Sequence, residues 1–380
     1  MSLRIAILGT RGVPNHYGGF ERLAEKLAPG LVEAGHAVTV YNSHNHPYQG
    51  SEWKGVTIRH CYDPEYWMGC TGQFVYDLNC VLDARKRNFD VILQLGYTSS
   101  SVWGLLFPPG SMILYNLDGL EWQRTKYSPL TRRFLLYAER LAVRFSDFTI
   151  SDSPVIQQYF RSKYGIESEY IAYGADRFGE AEESVLADYG VSRDKYFLLM
   201  ARMEPENNIE TILKGFTASS TDKKMLVIGN TQNKFGRYLQ SRFKDDPRIL
   251  FGGMLYDQRK THALKTFSSL YFHGHSTGGT NPSLLEAMAS GALIAAHDNA
   301  FNAAVLGDNA YYFSGPEAIT RLVSEVRRGE EEVRMIACNQ AKIEERYNWQ
   351  AIISQYERMI IRSLFLYNNE RSILYGRYSC

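Results

Sequence analysis

Short apolar runs alternate with longer helical patterns along almost the whole chain. That alternation restricts the fold more than any other feature. Strands buried on both faces need helices above and below the sheet, and so form wound, parallel α/β domains. In the first half the pattern predicts strands at "RIAILG", "AVTVYNS", "GVTIRHC", "DVILQLG", "MILYNLD", "DFTISDS" and "EYIAYG". In the second half it predicts them at "YFLLMA", "KMLVIGN", "RILFGG", "LYFHG", "ALIAAHD" and "AYYF". Helices are predicted between them, among others over residues 20–34, 72–87, 130–146, 208–217 and 282–290. Between the two series lies "RFGEAEESVLADYGVSR", polar, acidic and without a strand, which places a domain boundary near residues 180–193. A length of 380 residues also exceeds one ordinary core. The expectation is two doubly wound domains, 1–180 and 181–349, with a cleft between the carboxyl ends of their sheets, where such folds bind ligands.

Composition matters mainly for what it removes. Lys and Arg number 42 against 41 Asp and Glu, a formal net charge of +1, so nothing global points to nucleic acid as a partner. Apolar content of 44% is that of a folded chain. The 26 tyrosines and 19 phenylalanines suit sugars and amphipathic ligands, and equally suit an ordinary core and its rim. Cys61, Cys70, Cys80, Cys338 and Cys380 are odd in number and lack CxxC spacing, which argues against a disulfide framework or a zinc site and for a reducing cytoplasm. "MSLRIAILG" enters a strand directly, which predicts no signal peptide, and no apolar run approaches the roughly 18 residues of a membrane span. A cytoplasmic protein is expected, peripheral to a membrane at most.

Three loops carry residue types suited to chemistry. The first strand leads into "GTRGVPNHYGGFERLAEKLAPGL". A dinucleotide turn would read G-x-G-x-x-G, whereas here a long loop separates Gly9 from Gly18 and Gly19, and the Walker lysine is missing. Gly18 and Gly19 stand where a helix begins, so their N–H groups can approach a phosphate or sugar; glycine flexibility at a helix start is the plain alternative. In "LLMARMEPENNIETILKGF", Arg202 falls two residues beyond a strand and Asn207 at the N-cap of the next helix. An arginine there can neutralise a diphosphate or make a surface salt bridge. The third loop opens "HGHSTGGTNPSLLEAMASGALIAAHD", where Asn281 and Pro282 start a helix that Gly291 stops. The N–H groups of Gly279, Thr280 and Asn281, with the positive end of the helix dipole, favour an anion. Glu286 lies one turn further on, and its carboxylate can accept hydrogen bonds from the two hydroxyls of a ribose diol.

With these loops in place, the chain resembles retaining glycosyltransferases of family 4, which have the GT-B fold of two facing Rossmann-like domains. Within that family it is most similar to the bacterial rhamnosyltransferase-type branch. The resemblance covers essentially the whole chain. It rests on "LGTRGVPNHYGGFE", "NLDGLEWQRTKYS", "SDSPVIQQYF", "YIAYGAD", "ARMEPENNIETIL", "HGHSTGGTNPSLLEAMASGALIAAHD" and "FNAAVLGDNAYYF", in family order and spacing. It implies transfer of a sugar (rhamnose from dTDP-rhamnose) to a glycan or polyprenyl-diphosphate-linked acceptor in bacterial surface polysaccharide synthesis. It also implies retention at the anomeric carbon and neither metal nor other cofactor, and no D-x-D motif stands at a strand end. By position, Arg202 matches the arginine that binds the donor diphosphate, and Glu286 the second glutamate of E-x7-E, which binds ribose. Gly18 and Gly19 match the glycines that approach the donor phosphate. Asn207, His275, Gly279, Thr280 and Asn281 complete the expected donor set. The helices of about 350–380 are expected to pack back on the first domain.

The chain departs from the family at three places. Asn207 stands where a lysine is usual, Gly278 where the first glutamate of E-x7-E is usual, and "NLDGLEW" where many relatives carry a histidine. The last leaves Asp118 (or Asn116) to face the reacting carbon, so Asp118 and Arg202 are the expected catalytic residues; a structural cap is the other role open to Asp118. A nucleotide-sugar 2-epimerase and a non-catalytic nucleotide-sugar-binding protein are the rival functions. Residues 121–146 carry Arg124, Lys126, Arg132, Arg133, Arg140 and Arg144 against Glu121 and Glu139, with Tyr127, Phe134 and Tyr137 interleaved. That stretch either lies against an anionic membrane or buries its apolar face in the first domain.

Overall fold

The apolar runs become strands that are covered on both faces. β5 (Val91–Leu95) and β6 (Met112–Asn116) are buried throughout, and β1 (Arg4–Leu8) is buried beyond Arg4. The computed structural model describes residues 2–16, 18–117, 119–124 and 127–377, with side chains to residue 369. The chain divides into two units. The first comprises Met1–Trp122, Tyr127–Tyr173 and Trp349–Cys380; the second comprises Gln123–Lys126 and Gly174–Asn348.

The first unit holds an eight-stranded sheet in the order β3-β4-β2-β1-β5-β6-β7-β8. Its other strands are β2 (Ala37–Ser43), β3 (Glu52–Trp53), β4 (Val56–Cys61), β7 (Phe148–Ser151) and β8 (Glu169–Tyr170). All pairs are parallel except β3 with β4. β3 is too short to leave an apolar period and was not expected; "EYIAYG" contributes just two residues of pairing. Register places Ile5 opposite both Val38 and Val91, so β1 sits between β2 and β5 and the winding reverses between β1 and β5. The helix Trp349–Arg377 packs on the helix Gly19–Glu33, with Ile352, Tyr356 and Ile360 buried. Ile353 fills the space above Gly30, where an added Cβ would come within 2.7 Å of it.

The second unit holds six parallel strands in the order β11-β10-β9-β12-β13-β14. They are β9 (Tyr196–Met200), β10 (Lys224–Ile228), β11 (Ile249–Gly253), β12 (Leu270–His273), β13 (Ile294–His297) and β14 (Tyr311–Phe313). Leu198 pairs with Leu226 on one side and Tyr271 on the other, so the reversal lies between β9 and β12. Its core gathers Phe197, Ile212, Phe216, Val227 and Phe272. The division between units falls at Gly174 rather than within 180–193. There the Ala175 N–H donates to Tyr347 O at 2.7 Å and Ala175 bridges Asn348, which ties this segment to the second unit. Among the described residues, no helix is long and apolar enough to cross a membrane.

Candidate functional site

Two loops leave the second sheet where its winding reverses, the position at which doubly wound folds hold ligands. One follows β9 through a helical turn, Pro205–Asn207, into the helix Ile209–Thr217; the other follows β12 into the helix Pro282–Ala289. They are stitched together. Asn208 Nδ2 donates to Gly274 O at 2.8 Å, and Ser276 donates from N and Oγ to Glu206 O at 3.1 and 2.8 Å. Gly274 passes so close that an added Cβ would stand 2.0 Å from Asn207 O. From the far side, Asn299 and Asn302 each donate to His275 O at 3.1 Å.

Asn207 is not the helix cap. It is 4% exposed, inside the helical turn, and donates Nδ2 to Arg202 O at 2.7 Å. The helix starts one residue later than expected, with Asn208 at φ +51° in the cap position. Two adjacent asparagines both suit a cap, and the left-handed backbone that asparagine tolerates selects the second. Asn207 therefore shapes the loop that carries Arg202. Arg202 itself is exposed and, among the described residues, makes no ion pair. His275 stacks on His273 with ring centroids 4.4 Å apart. The residue is partly exposed overall, but its Nδ1 is out of solvent and unbonded. Burial, with Arg202 and Arg124 nearby, pushes the His275 imidazole down to about 3. Burial pushes His273 well below the usual range as well, helped by His275 and Lys265.

At the start of the third loop's helix the expectation holds in detail. Asn281 Oδ1 accepts from Ser283 N at 3.0 Å, Pro282 follows it, and Gly291 ends the helix at φ +66°. Thr280 is 2% exposed, and Gly278 to Thr280 form the bend before the cap. Gly278 has φ +124°, a backbone that a glutamate rarely adopts. Glycine is the residue that takes this backbone without strain, so the loop as folded has no place for a carboxylate at 278. Glu286 has a side chain 36% exposed, and its Oε2 accepts from Lys265 Nζ at 2.8 Å. Sequence reading missed Lys265, 1% exposed, and Glu206, whose carboxylate is 4% exposed with Oε1 3.7 Å from Arg124. Lys265 sits in a polar-looking helix, Gln258–Phe267, and its partner lies 21 residues away, so no local period marks it.

The first unit places its candidates differently. Asp118 lies outside the described residues. Asn116, the other residue offered for that role, is fully buried and donates Nδ2 to Tyr356 OH at 2.8 Å, so it belongs to the core. Gly18 caps the helix that begins at Gly19 in extended backbone. That helix already has an anion in its first turn: Glu21, 4% exposed, accepts from Arg11 N at 2.7 Å. Arg11 forms a two-pronged pair with Glu65 at 2.6 and 3.0 Å. Asp77 is buried beside Ser99, whose Oγ donates to it at 2.5 Å, and burial pushes its carboxyl up to about 7. In the basic stretch, Glu139 faces inward from the helix Pro129–Phe145. It accepts from Tyr159 OH, Lys163 Nζ and Tyr164 OH at 2.8, 2.8 and 2.6 Å, while Arg133, Tyr137, Arg140 and Arg144 are exposed.

Comparison with known proteins agrees on the fold. A family profile described as a domain of unknown function (DUF1972) matches residues 108–176. Sucrose-phosphate synthase from Thermosynechococcus elongatus superposes with a TM-score of 0.79 at 16% identity, over 96% of this chain and 99% of that one. HepE of Anabaena, in complex with UDP and glucose, gives 0.71 at 16% identity, over 95% and 100%. The trehalose 6-phosphate synthase of Burkholderia multivorans gives 0.67 at 13% identity, over 98% of each chain. No curated protein sequence matches. The chain has the GT-B glycosyltransferase fold, built of two parallel-sheet α/β domains.

Proposed function

We propose that the protein is a retaining glycosyltransferase of family 4 whose second unit holds a nucleoside-diphosphate sugar. One observation carries this reading: two mutually bonded loops at the winding reversal carry an arginine that makes no ion pair among the described residues, a helix N-terminus and a carboxylate. Arg202, the loop N–H groups and the helix dipole stabilise the charge of the departing diphosphate. The departing phosphate oxygen takes the proton of the acceptor hydroxyl on the same face. The HepE neighbour, bound to UDP and glucose, supports the class of donor. The family resemblance favours rhamnose from dTDP-rhamnose, a glycan or polyprenyl-diphosphate-linked acceptor, a place in bacterial surface polysaccharide synthesis, and no metal. Incubation with dTDP-, UDP- and GDP-sugars and a polyprenyl-diphosphate glycan, read by mass spectrometry, tests it. Sugar transfer is expected. An isomerised donor would instead mean a 2-epimerase, binding without turnover a binding protein, and no nucleotide binding would end the proposal.

The same reading includes peripheral contact with an anionic membrane in the cytoplasm. Arg133, Tyr137, Arg140 and Arg144 follow one another along one side of their helix. Leu130 at its start and Leu105 in the adjacent turn are 77% and 80% exposed. Basic residues at a lipid surface contribute about 1 kcal/mol each. Arg133→Glu with Arg140→Glu should therefore lower binding to anionic vesicles at least tenfold, and equal sedimentation with neutral vesicles would remove the membrane from the reading. Arg132 is the poorer target, because its Nε is buried.

A further inference from the structure

Lys265 lies in the last turn of the helix Gln258–Phe267, with a side chain 1% exposed. Its Nζ is 2.8 Å from Glu286 Oε2, and among the described residues no second acceptor reaches it. Burying an ammonium group costs several kcal/mol, and an apolar side chain of the same volume serves packing as well or better. Its neighbours supply no compensating negative charge: the His262 and His273 imidazoles are buried near it, and burial lowers the pKa of both. The pair is also lopsided. The amine is sealed inside, whereas the carboxylate stands partly in solvent, with Oε1 accepting no hydrogen bond among the described residues.

We infer that Lys265 is a positioning residue for nucleotide recognition. It holds Glu286 by Oε2 and so presents Oε1 to a ring hydroxyl of the bound nucleoside. The inference rests on the reading that the second unit binds a nucleoside diphosphate. A flexible glutamate on a helix surface loses rotamer freedom when it grips a ligand, and a carboxylate already fixed by a buried cation has lost it beforehand. The fixed geometry also predicts where the effect appears: in the discrimination between a nucleotide with ring hydroxyls and one without, and not in the contacts of base or phosphate.

The experiment is calorimetry on the full chain with UDP, GDP and ADP, each against its 2′,3′-dideoxy form, and with dTDP, which has a single ring hydroxyl, against its 3′-deoxy form. Parent, Glu286→Gln, Lys265→Met and Lys265→Arg proteins are compared, with thermal unfolding as the check of fold. The parent should prefer the hydroxylated form about tenfold to a hundredfold, the range of a hydrogen bond to a charged group. Lys265→Met should bring that preference to within about threefold and leave the affinity for the hydroxyl-free form unchanged; Lys265→Arg should restore most of it. Equal losses for both forms, or a preference left intact, would overturn the inference while Glu286→Gln still showed the role of the carboxylate. A parent protein that does not discriminate removes the role of Glu286, and the inference with it. Lys265→Leu, which also removes the donor, is read if the methionine variant does not fold; an unchanged preference in it also overturns the inference.

Discussion

The two units share a winding pattern, but the loop edges of their sheets carry opposite chemistry. The first buries carboxylates: Glu21, Asp63 and Asp77 are each 4% exposed, and Arg11 is neutralised by Glu65. The second also buries one, Glu206 beside Arg124, but it presents Arg202 with no ion pair among the described residues, seals Lys265 behind Glu286, and holds two stacked imidazoles uncharged by burial. One architecture thus supports two electrostatic environments, because the strands fix where the loops emerge while the loops and the helices beside them set the charge. Arg202 and the helix N-terminus make the second edge the one suited to an anionic ligand.

The largest test of that contrast is Arg202→Ala. If its charge meets the leaving diphosphate, turnover should fall about a hundredfold or more with little change in acceptor KM; parent turnover would dissolve the comparison. Adding Asn207→Lys to supply a second cation is expected not to restore turnover. The lysine would remove the bond from Asn207 to Arg202 O that shapes the same loop.

Next comes pH, where the two edges should respond in opposite directions. His275 protonates near 6.5 in an unfolded chain and at about 3 when folded, so between those values the unfolded chain holds more protons. Stability from this residue falls as pH drops through that window, by about 1.4 kcal/mol per pH unit. His275→Gln should flatten the acid side of urea unfolding measured between pH 4.5 and 7. Asp77 keeps its proton up to about 7 when folded, against an ordinary value of 3.8. Its contribution therefore falls as pH rises through that range, and Asp77→Asn should stabilise the protein at pH 8 but not at pH 4. Parallel shifts of the two variants would mean that the edges do not differ as described.

The smallest effect is expected at Gly278. Gly278→Glu should cost about 1–2 kcal/mol of stability, because φ +124° strains any side chain. Donor affinity should not improve. A stable Gly278→Glu protein with tighter nucleotide binding would show that this loop can change its backbone to accept a side chain.

Local features were legible in the sequence. Apolar runs gave the strands, and Asn281 with Pro282 gave the start of the third loop's helix, since both follow from short-range backbone chemistry. What the sequence concealed lies in contacts between distant segments. The Ala175–Tyr347 bond moves the unit boundary, Glu139 turns inward to meet Tyr159, Lys163 and Tyr164, and Lys265 reaches Glu286 from a helix with no visible apolar reason to bury it. The choice between Asn207 and Asn208 as cap was undecidable from composition, because one backbone angle settles it.

The bonds from Asn208 to Gly274 and from Ser276 to Glu206 bear on how such a site can diversify. Neither loop is a separable cassette. Transplanting 274–281 from a relative leaves the Glu206 carbonyl without its serine, and transplanting 201–208 leaves Gly274 beneath a foreign backbone. A change in one segment therefore disturbs the other, and a chimera that exchanges them together should fold more stably than either single exchange.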